Sequence, residues 1–238
     1  MAQIIDKVVY KMSHTVDASK TFTSANVDIV NDTVNVASHG FSTGDNVGLL
    51  MSGSVTGLTE ATTAYYIIAS DAHNIAFATS RANAIAGTKV DITAIGTGTT
   101  TISKYGLGIS QLGVLPDNFI ITDCWYDVVT TYVSDDGTTP GNDAGTIALS
   151  SGQAANDFKV AIAISDSTNV YDAGLHGTLM TAPNLGADAA HDTALEVIAL
   201  ETAIKLKLTA DRTVVLTIAT ETLSAGSMDL FIEGYQGR

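Results

Sequence analysis

Residues 212–219 read Arg-Thr-Val-Val-Leu-Thr-Ile-Ala, and residues 228–233 read Met-Asp-Leu-Phe-Ile-Glu. In the first stretch, the apolar residues Val214, Leu216 and Ile218 stand at every second position. Successive side chains of a strand point to opposite faces, so this period of two predicts half-buried strands. Burial on one face only is typical of antiparallel sheets, because parallel sheets are covered on both faces.

The same alternation recurs elsewhere, and turn residues separate the stretches. Apolar residues alternate with small, polar or charged ones in three further places: Phe158, Val160, Ile162 and Ile164 with Lys159, Ala161, Ala163 and Ser165; Ile204, Leu206 and Leu208 with Lys205 and Lys207; and Met228, Leu230 and Ile232 with Asp229 and Glu233. Turn signals stand at Leu115-Pro116-Asp117-Asn118, Asp135-Asp136-Gly137, Ala210-Asp211 and Ser224-Ala225-Gly226. The pattern predicts an all-β chain forming a β-sandwich or jelly roll, with one short helix in 187–200, capped by Asp188.

Composition limits the classes of partner. The 238 residues include 11 Lys+Arg and 25 Asp+Glu, a net charge of −14. So acidic a chain is poorly suited to nucleic acid or an anionic membrane, and we expect neither partner. No apolar run approaches the roughly 20 residues of a transmembrane helix. The single cysteine, Cys124, leaves no intrachain disulfide framework and no multi-cysteine metal site.

A separate small module is predicted over roughly residues 25–103. Residues 1–109 carry 8 acids and 6 bases, whereas residues 110–238 carry 17 and 5, which indicates two regions of different surface chemistry. Within the module, strands at 65–68 and 75–77 flank the turn Asp71-Ala72-His73-Asn74. Two short strands joined by a turn rich in Asp and Asn predict a β-hairpin.

This module resembles a β-module found in structural proteins of tailed bacteriophages. The residues that carry the resemblance are His-Gly-Phe-Ser-Thr-Gly-Asp at 39–45, Leu58-Thr59, Tyr-Tyr-Ile-Ile at 65–68 and Ile-Ala-Phe-Ala-Thr-Ser at 75–80. They match a histidine-glycine loop, a Tyr-Tyr strand and a hairpin that ends in Ala-Thr-Ser.

The remainder is similar to phage virion proteins of the head-decoration or head-fibre type. The matching segments are 115–118, 126–131, 161–165, 171–176 and the ending that runs from 209–212 to 231–233. The resemblance implies a non-enzymatic protein on the outer capsid surface of the virion, made in the host cytoplasm. It implies the major capsid protein as partner and a homo-oligomer, with a trimer suited to threefold shell positions. It brings no catalytic residue and no cofactor.

The resemblance also implies how the two parts are connected. Relatives without the module run from a strand like Lys7–Tyr10 directly to a segment like Leu112–Asn118. We therefore predict a jelly-roll-like sandwich formed by residues 1–24 and 104–238, with the module of residues 25–103 inserted in a loop. Insertions are best tolerated at exposed loop tips. Two domains in simple tandem are the alternative.

Two motifs carry candidate chemistry. Gly40-Phe41-Ser42-Thr43-Gly44 matches the nucleophile elbow, which would make Ser42 the nucleophile of an esterase or depolymerase. A strand, and no helix, is predicted to follow it, which favours an ordinary turn. Asp123 and Asp127 flank Trp125 on one strand face, but four residues of strand separate the backbones by about 13 Å. Glycosidase carboxyl groups stand roughly 5–9.5 Å apart, so this spacing is unfavourable.

The remaining metal and ligand candidates are weaker still. The acidic loop 135–143 has the oxygen density of a calcium site but also the composition of a plain hairpin loop. The five histidines lack the spacing of a zinc site, so no metal or cofactor is predicted. The alternative function is a tail or fibre component that binds a host-surface glycan or receptor, with Tyr65, Tyr66 and Trp125 as contact residues.

Overall fold

The computed structural model describes residues 7–60, 62–134, 144–153, 158–165, 170–176 and 206–236. In these ranges every paired strand is antiparallel and the helical residues are confined to one six-residue α-helix and one 3₁₀ turn. The prediction of an all-β chain with antiparallel sheets is therefore confirmed. The helix predicted in 187–200 lies outside the described residues.

The strands are named in chain order. They are β1 (Lys7–Thr15), β2 (Asp17–Thr23), β3 (Val27–Asp28), β4 (Thr33–Asn35), β5 (Asn46–Met51), β6 (Ser54–Thr56), β7 (Tyr65–Ala69), β8 (Asn74–Ala78), β9 (Ala94–Thr97), β10 (Thr99–Lys104), β11 (Gly108–Leu115), β12 (Phe119–Ser134), β13 (Thr146–Ser150), β14 (Lys159–Ala163), β15 (Gly174–His176), β16 (Leu206–Lys207), β17 (Arg212–Ala219) and β18 (Leu223–Gln236). The helix α1 spans Arg81–Ala86, and the 3₁₀ turn spans Ser24–Asn26.

Two sheets enclose a first core. One sheet has the order β1-β18-β12-β15, with β16 also paired to β12, and the other has the order β11-β17-β13-β14. Buried side chains from both sheets form one cluster, which includes Leu230 and Ile232 of β18, Leu216 and Ile218 of β17, and Tyr126 of β12. This is the packing of a β-sandwich, in which each strand contributes every second side chain to the core.

A bulge in β12 decides which residues face outward. Phe119 and Ile121 are buried, but the register against β18 shifts between Ile121 and Asp123. After the shift Cys124 and Tyr126 are the buried residues. A bulge inserts one unpaired residue and so reverses the face that each later side chain occupies. The odd-numbered residues from Asp123 onward therefore lie on the outer face of the sheet.

A seven-stranded sheet carries a second core. Its order is β2-β10-β5-β7-β8-β4-β3. The strands β6 and β9 pair with each other in a separate two-stranded ribbon. The predicted hairpin is present as β7 and β8, and its turn is held by Asp71, whose Oδ1 accepts from the backbone N–H groups of His73 and Asn74. The second core includes Ile67, Phe77, Leu49 and Ile102.

The strand β14 departs from the predicted alternation. Lys159 was expected on the exposed side of this strand, but it is buried, with its Nζ 5.9 Å and 5.7 Å from the ring centroids of Tyr126 and Tyr171. The register between β13 and β14 shifts between Ile147 and Leu149, so a strict period of two does not hold there. The expectation for Lys159 was therefore wrong.

The chain passes between the two cores twice. Val16, the residue between β1 and β2, packs in the first core, whereas Phe22 of β2 packs in the second. The return runs from β10 through residues 105–107 into β11. We call the described residues of 7–16 and 105–236 the first unit, and those of 17–104 the second unit. The strand β2 thus pairs within the second unit, whereas the prediction assigned residues 1–24 to the sandwich; insertion of a 25–103 module stays a prediction.

Hydrogen bonds and close packing join the two units. Asn46 donates from Nδ2 to the carbonyl of Leu107 at 2.7 Å, and the Ser103 hydroxyl donates to the carbonyl of Leu223. Gly48 of β5 packs directly against the fully buried Thr222, where a Cβ would lie 2.4 Å from Thr222 Oγ1. A glycine at position 48 is therefore a condition for the units to approach this closely.

We predict that Gly48→Ala destabilises the protein by about 1–3 kcal/mol, because the added methyl group overpacks a buried contact. The free energy of unfolding, measured by chemical denaturation, checks this. The matched control is Thr222→Ala, which removes both atoms nearest to the new Cβ. The cost of Gly48→Ala should be smaller in the Thr222→Ala background, and an equal cost in both backgrounds would contradict the proposed contact.

Candidate functional site

The outer face of the first sheet carries a pair of stacked aromatic rings. Trp125 of β12 is paired in register with Phe231 of β18, which is paired in turn with Lys11 of β1. The Trp125 and Phe231 rings lie 5.5 Å apart at an interplanar angle of 9°, and Lys11 Nζ lies 5.8 Å from the Phe231 centroid. Both rings are half-buried, so a partner or ligand can reach them.

Charged and apolar residues surround this stack. Lys11 pairs with Asp229 at 2.8 Å, and Lys7 pairs with Glu233 at 2.5 Å. The hydrogen bonds from Lys11 and Ser13 hold the pKa of Asp229 below its usual range. Asp123 and Asp127 form no ion pair with any described residue. The exposed apolar residues of the same face include Val9, Val129 and Leu175. We call this surface the aromatic face.

The two predicted tyrosine contacts lie in different environments. Tyr65 is only 3% exposed, packs edge-on against Phe77 at 5.8 Å and accepts a hydrogen bond from the backbone N–H of Thr59. The expectation that it is an exposed contact residue is therefore wrong, because alternation along β7 directs Tyr65 and Ile67 into the second core. Tyr66 faces the opposite way and is partly exposed.

Tyr66 lines a cleft where the two units meet. We call this the junction cleft. It has two adjoining parts, of about 390 Å³ and 340 Å³, and Tyr105 and Gln111 line both. The larger part is also lined by Tyr66, Arg81 and Asp45, and the smaller part by His14, Ser110 and Leu112. Trp125 is not among the lining residues, so the structure does not bring the predicted contact residues together.

His14 forms a buried polar link beneath the junction cleft. Its Nε2 lies 3.2 Å from the carbonyl oxygen of Tyr105, and its Nδ1 lies 3.0 Å from the Tyr132 hydroxyl. A carbonyl only accepts, so Nε2 carries the proton and Nδ1 accepts from Tyr132. Burial lowers the pKa of His14 to about 4 and raises the pKa of Tyr132 above its ordinary value. The neutral imidazole therefore ties β1 to the segment that connects the units.

The catalytic candidates from the sequence lie in a turn and on a sheet face. Ser42 is exposed in a turn, its N–H donates to Asp45 Oδ2, and β5 follows where a nucleophile elbow requires a helix. Asp123 and Asp127 lie on the aromatic face on either side of Trp125. The described ranges contain no cluster of three or more residues suited to bind a metal ion. The loop 135–143 lies outside the described residues.

Comparison of the chain with protein-family models, with curated proteins and with solved structures gave no match. In the part of the chain that the structure describes, no helix has both the length and the apolar character needed to cross a membrane.

Some residues of these surfaces were not identified from the sequence. The alternation of 228–233 carried a usable signal for Phe231, because it directs Asp229, Phe231 and Glu233 to the same outer face. Arg81 and Ser110 had no local signal. Each lines a different part of the junction cleft, and the cleft depends on how two separate units approach each other.

We predict that the free energy of unfolding falls by about 3 kcal/mol between pH 6.5 and pH 4 through His14 alone. Its pKa is depressed in the folded state, so the unfolded chain binds the proton first and stability is lost as the pH falls through this window. Chemical denaturation of wild type and of His14→Gln across this range checks the prediction. The variant should show a flatter dependence on pH, and parallel curves would contradict the assignment.

Proposed function

We propose that this chain is a non-enzymatic structural protein of a tailed-phage virion, a capsid decoration protein bound to the outer capsid surface. The sequence resemblance supplies the class, and the aromatic face is the structural observation that supports it. An antiparallel sandwich provides a rigid body without a cofactor. The jelly-roll-like topology implied by the resemblance belongs to the same proposal.

The aromatic face has the composition of a protein-binding surface. Interfaces are enriched in Trp, Tyr, Phe and Arg at their centre, and a few such residues supply most of the binding energy. Here the Trp125–Phe231 stack lies among exposed Val9, Val129 and Leu175. A side chain that is already packed against a neighbouring ring loses little conformational freedom on binding.

The charge of this face favours a basic partner. Lys7 and Lys11 form ion pairs with Glu233 and Asp229, whereas Asp123 and Asp127 form no ion pair with a described residue. Of these two carboxylates, Asp123 lies close enough to Lys7 to contribute, after Glu233, to the raised pKa of that lysine. A capsid protein that presents Lys or Arg would form ion pairs with these two carboxylates across the interface. We therefore assign the major capsid protein as the occupant of the aromatic face.

The long strands keep this surface in a fixed geometry. The strand β12 has 16 residues and β18 has 14, and the two are paired over most of their length. A homo-oligomer, with a trimer at threefold shell positions, would present several copies of the face at once. Multivalency then permits modest affinity at each site.

We predict that Trp125→Ala weakens binding to particles stripped of this chain by at least about tenfold, because it removes the central ring of the interface. Cosedimentation with such particles measures the affinity. The matched control is Ile85→Ala, since Ile85 is 67% exposed but lies on α1 in the second unit. Equal affinities for the two variants, each with unchanged circular dichroism, would contradict the proposed interface.

We predict that antibody label against this chain lies over the head in electron micrographs of intact particles. Particles that lack the chain should also lose their DNA at a lower temperature, because the protein would bridge neighbouring capsid subunits. Label confined to the tail would overturn the decoration proposal in favour of a receptor-binding component. Unchanged heat resistance in particles with head label would exclude a cementing role.

A further inference from the structure

The junction cleft gathers polar groups that have no partner among the described residues. Ser110 and Gln111 contribute from β11, Tyr66 from β7, and Arg81 from the first position of α1. Across the described ranges, none of their side chains forms a hydrogen bond or ion pair. Arg81 and Gln111 are exposed and Tyr66 is partly exposed, so these three side chains can bond to a ligand at the rim of the cleft.

Ser110 is the strongest indication of a ligand. The residue is only 5% exposed, and its Oγ is buried without a hydrogen-bond partner while it lines the cleft. A buried hydroxyl that stays unpaired costs about 1–3 kcal/mol, so such groups are rare and call for an explanation. A ligand hydroxyl in the cleft would supply the missing partner.

Arg81 supplies an uncommitted cation. The other cation near this site, Lys104, forms an ion pair with Asp45 at 2.7 Å. Burial lowers the pKa of Lys104, but the hydrogen bond to Asp45 and its charge outweigh burial and raise that pKa above its usual value. Asp45 is thus already paired with a cation, and the guanidinium of Arg81 forms no ion pair with a described residue although the chain has a net charge of −14. The planar guanidinium fork matches a carboxylate in bidentate geometry.

The remaining lining groups match a sugar. The partly exposed ring of Tyr66 provides an apolar face with a polar tip. Tyr105 only forms part of the wall, because Lys104 Nζ lies 5.0 Å from its ring centroid and its hydroxyl donates to Asp45 Oδ1 at 3.3 Å. The Gln111 amide both donates and accepts, as recognition of sugar hydroxyls requires. Each part of the cleft falls within the roughly 300–1,000 Å³ of small-molecule sites, so together they accommodate a mono- or disaccharide.

We propose that the junction cleft binds a saccharide that bears a carboxylate, of the uronic-acid or sialic-acid type. Arg81 pairs with the carboxylate, Tyr66 packs on the ring, and Gln111 and Ser110 bond to its hydroxyls. A single negative charge suits the site better than a phosphate dianion, because one free cation faces it and Asp45 stands close by. This inference is independent of where on the virion the chain is attached.

The test is calorimetric titration of the full chain with glucuronic acid and N-acetylneuraminic acid. Glucose and inorganic phosphate serve as probes without the carboxylate. We expect one of the two acidic sugars to bind, with affinity at least tenfold above that for glucose and phosphate. Arg81→Gln should abolish this preference. The matched control Lys89→Gln removes the same charge from an exposed residue of the second unit outside the cleft, and it should bind like wild type.

A second variant separates binding from folding. Ser110→Ala removes a buried hydroxyl that lacks a partner, so it should leave the free energy of unfolding unchanged or raised. It should nevertheless weaken sugar binding severalfold. The proposal is overturned if neither acidic sugar binds at millimolar concentration, if phosphate binds more tightly, or if Arg81→Gln and Ser110→Ala both bind like wild type.

Discussion

The pairing of β12 with β18 is the constraint on which the rest of the first unit depends. These two strands lie at the centre of the first sheet, with β1 on one side and β15 and β16 on the other. Their inner side chains form much of the first core, and their outer side chains carry the Trp125–Phe231 stack. One ladder therefore sets both the packing of the sandwich and the geometry of its outer surface. The bulge after Ile121 affects both the core and the outer surface, because it decides which residues of β12 face inward and which face outward.

Sequence periodicity predicted what depends on local alternation. The buried positions Val214, Leu216 and Ile218 and the hairpin of β7 and β8 follow directly from a period of two and from turn chemistry. The same rule, applied strictly, also places Tyr65 inside. The period of two does not predict the burial of Lys159, because the register shifts between β13 and β14. The rings of Tyr126 and Tyr171 then provide a favourable environment for its buried ammonium group. Such contacts form between strands that are distant in sequence, so no short stretch of sequence contains both partners.

The junction cleft could not be predicted for the same physical reason. Ser110 and Arg81 line different parts of the cleft and belong to different units, which are joined by the packing of Gly48 against Thr222 and by the hydrogen bond from Asn46 to Leu107. The sequence shows each of these residues in an ordinary context. By contrast, Trp125 was identifiable because a tryptophan between two aspartates on a strand stands out from its neighbours. A site on one sheet face can thus be predicted, whereas a site between units needs the tertiary structure.

The double passage of the chain between the units has a topological consequence. Two segments cross the boundary, one at Val16 and one through residues 105–107, and the strands they lead to, β2 and β10, are paired with each other. A single proteolytic cut in either crossing leaves the second unit covalently attached through the other. Mechanical load on the second unit is likewise shared by two hydrogen-bonded segments, which limits rotation about the boundary far more than one flexible linker would.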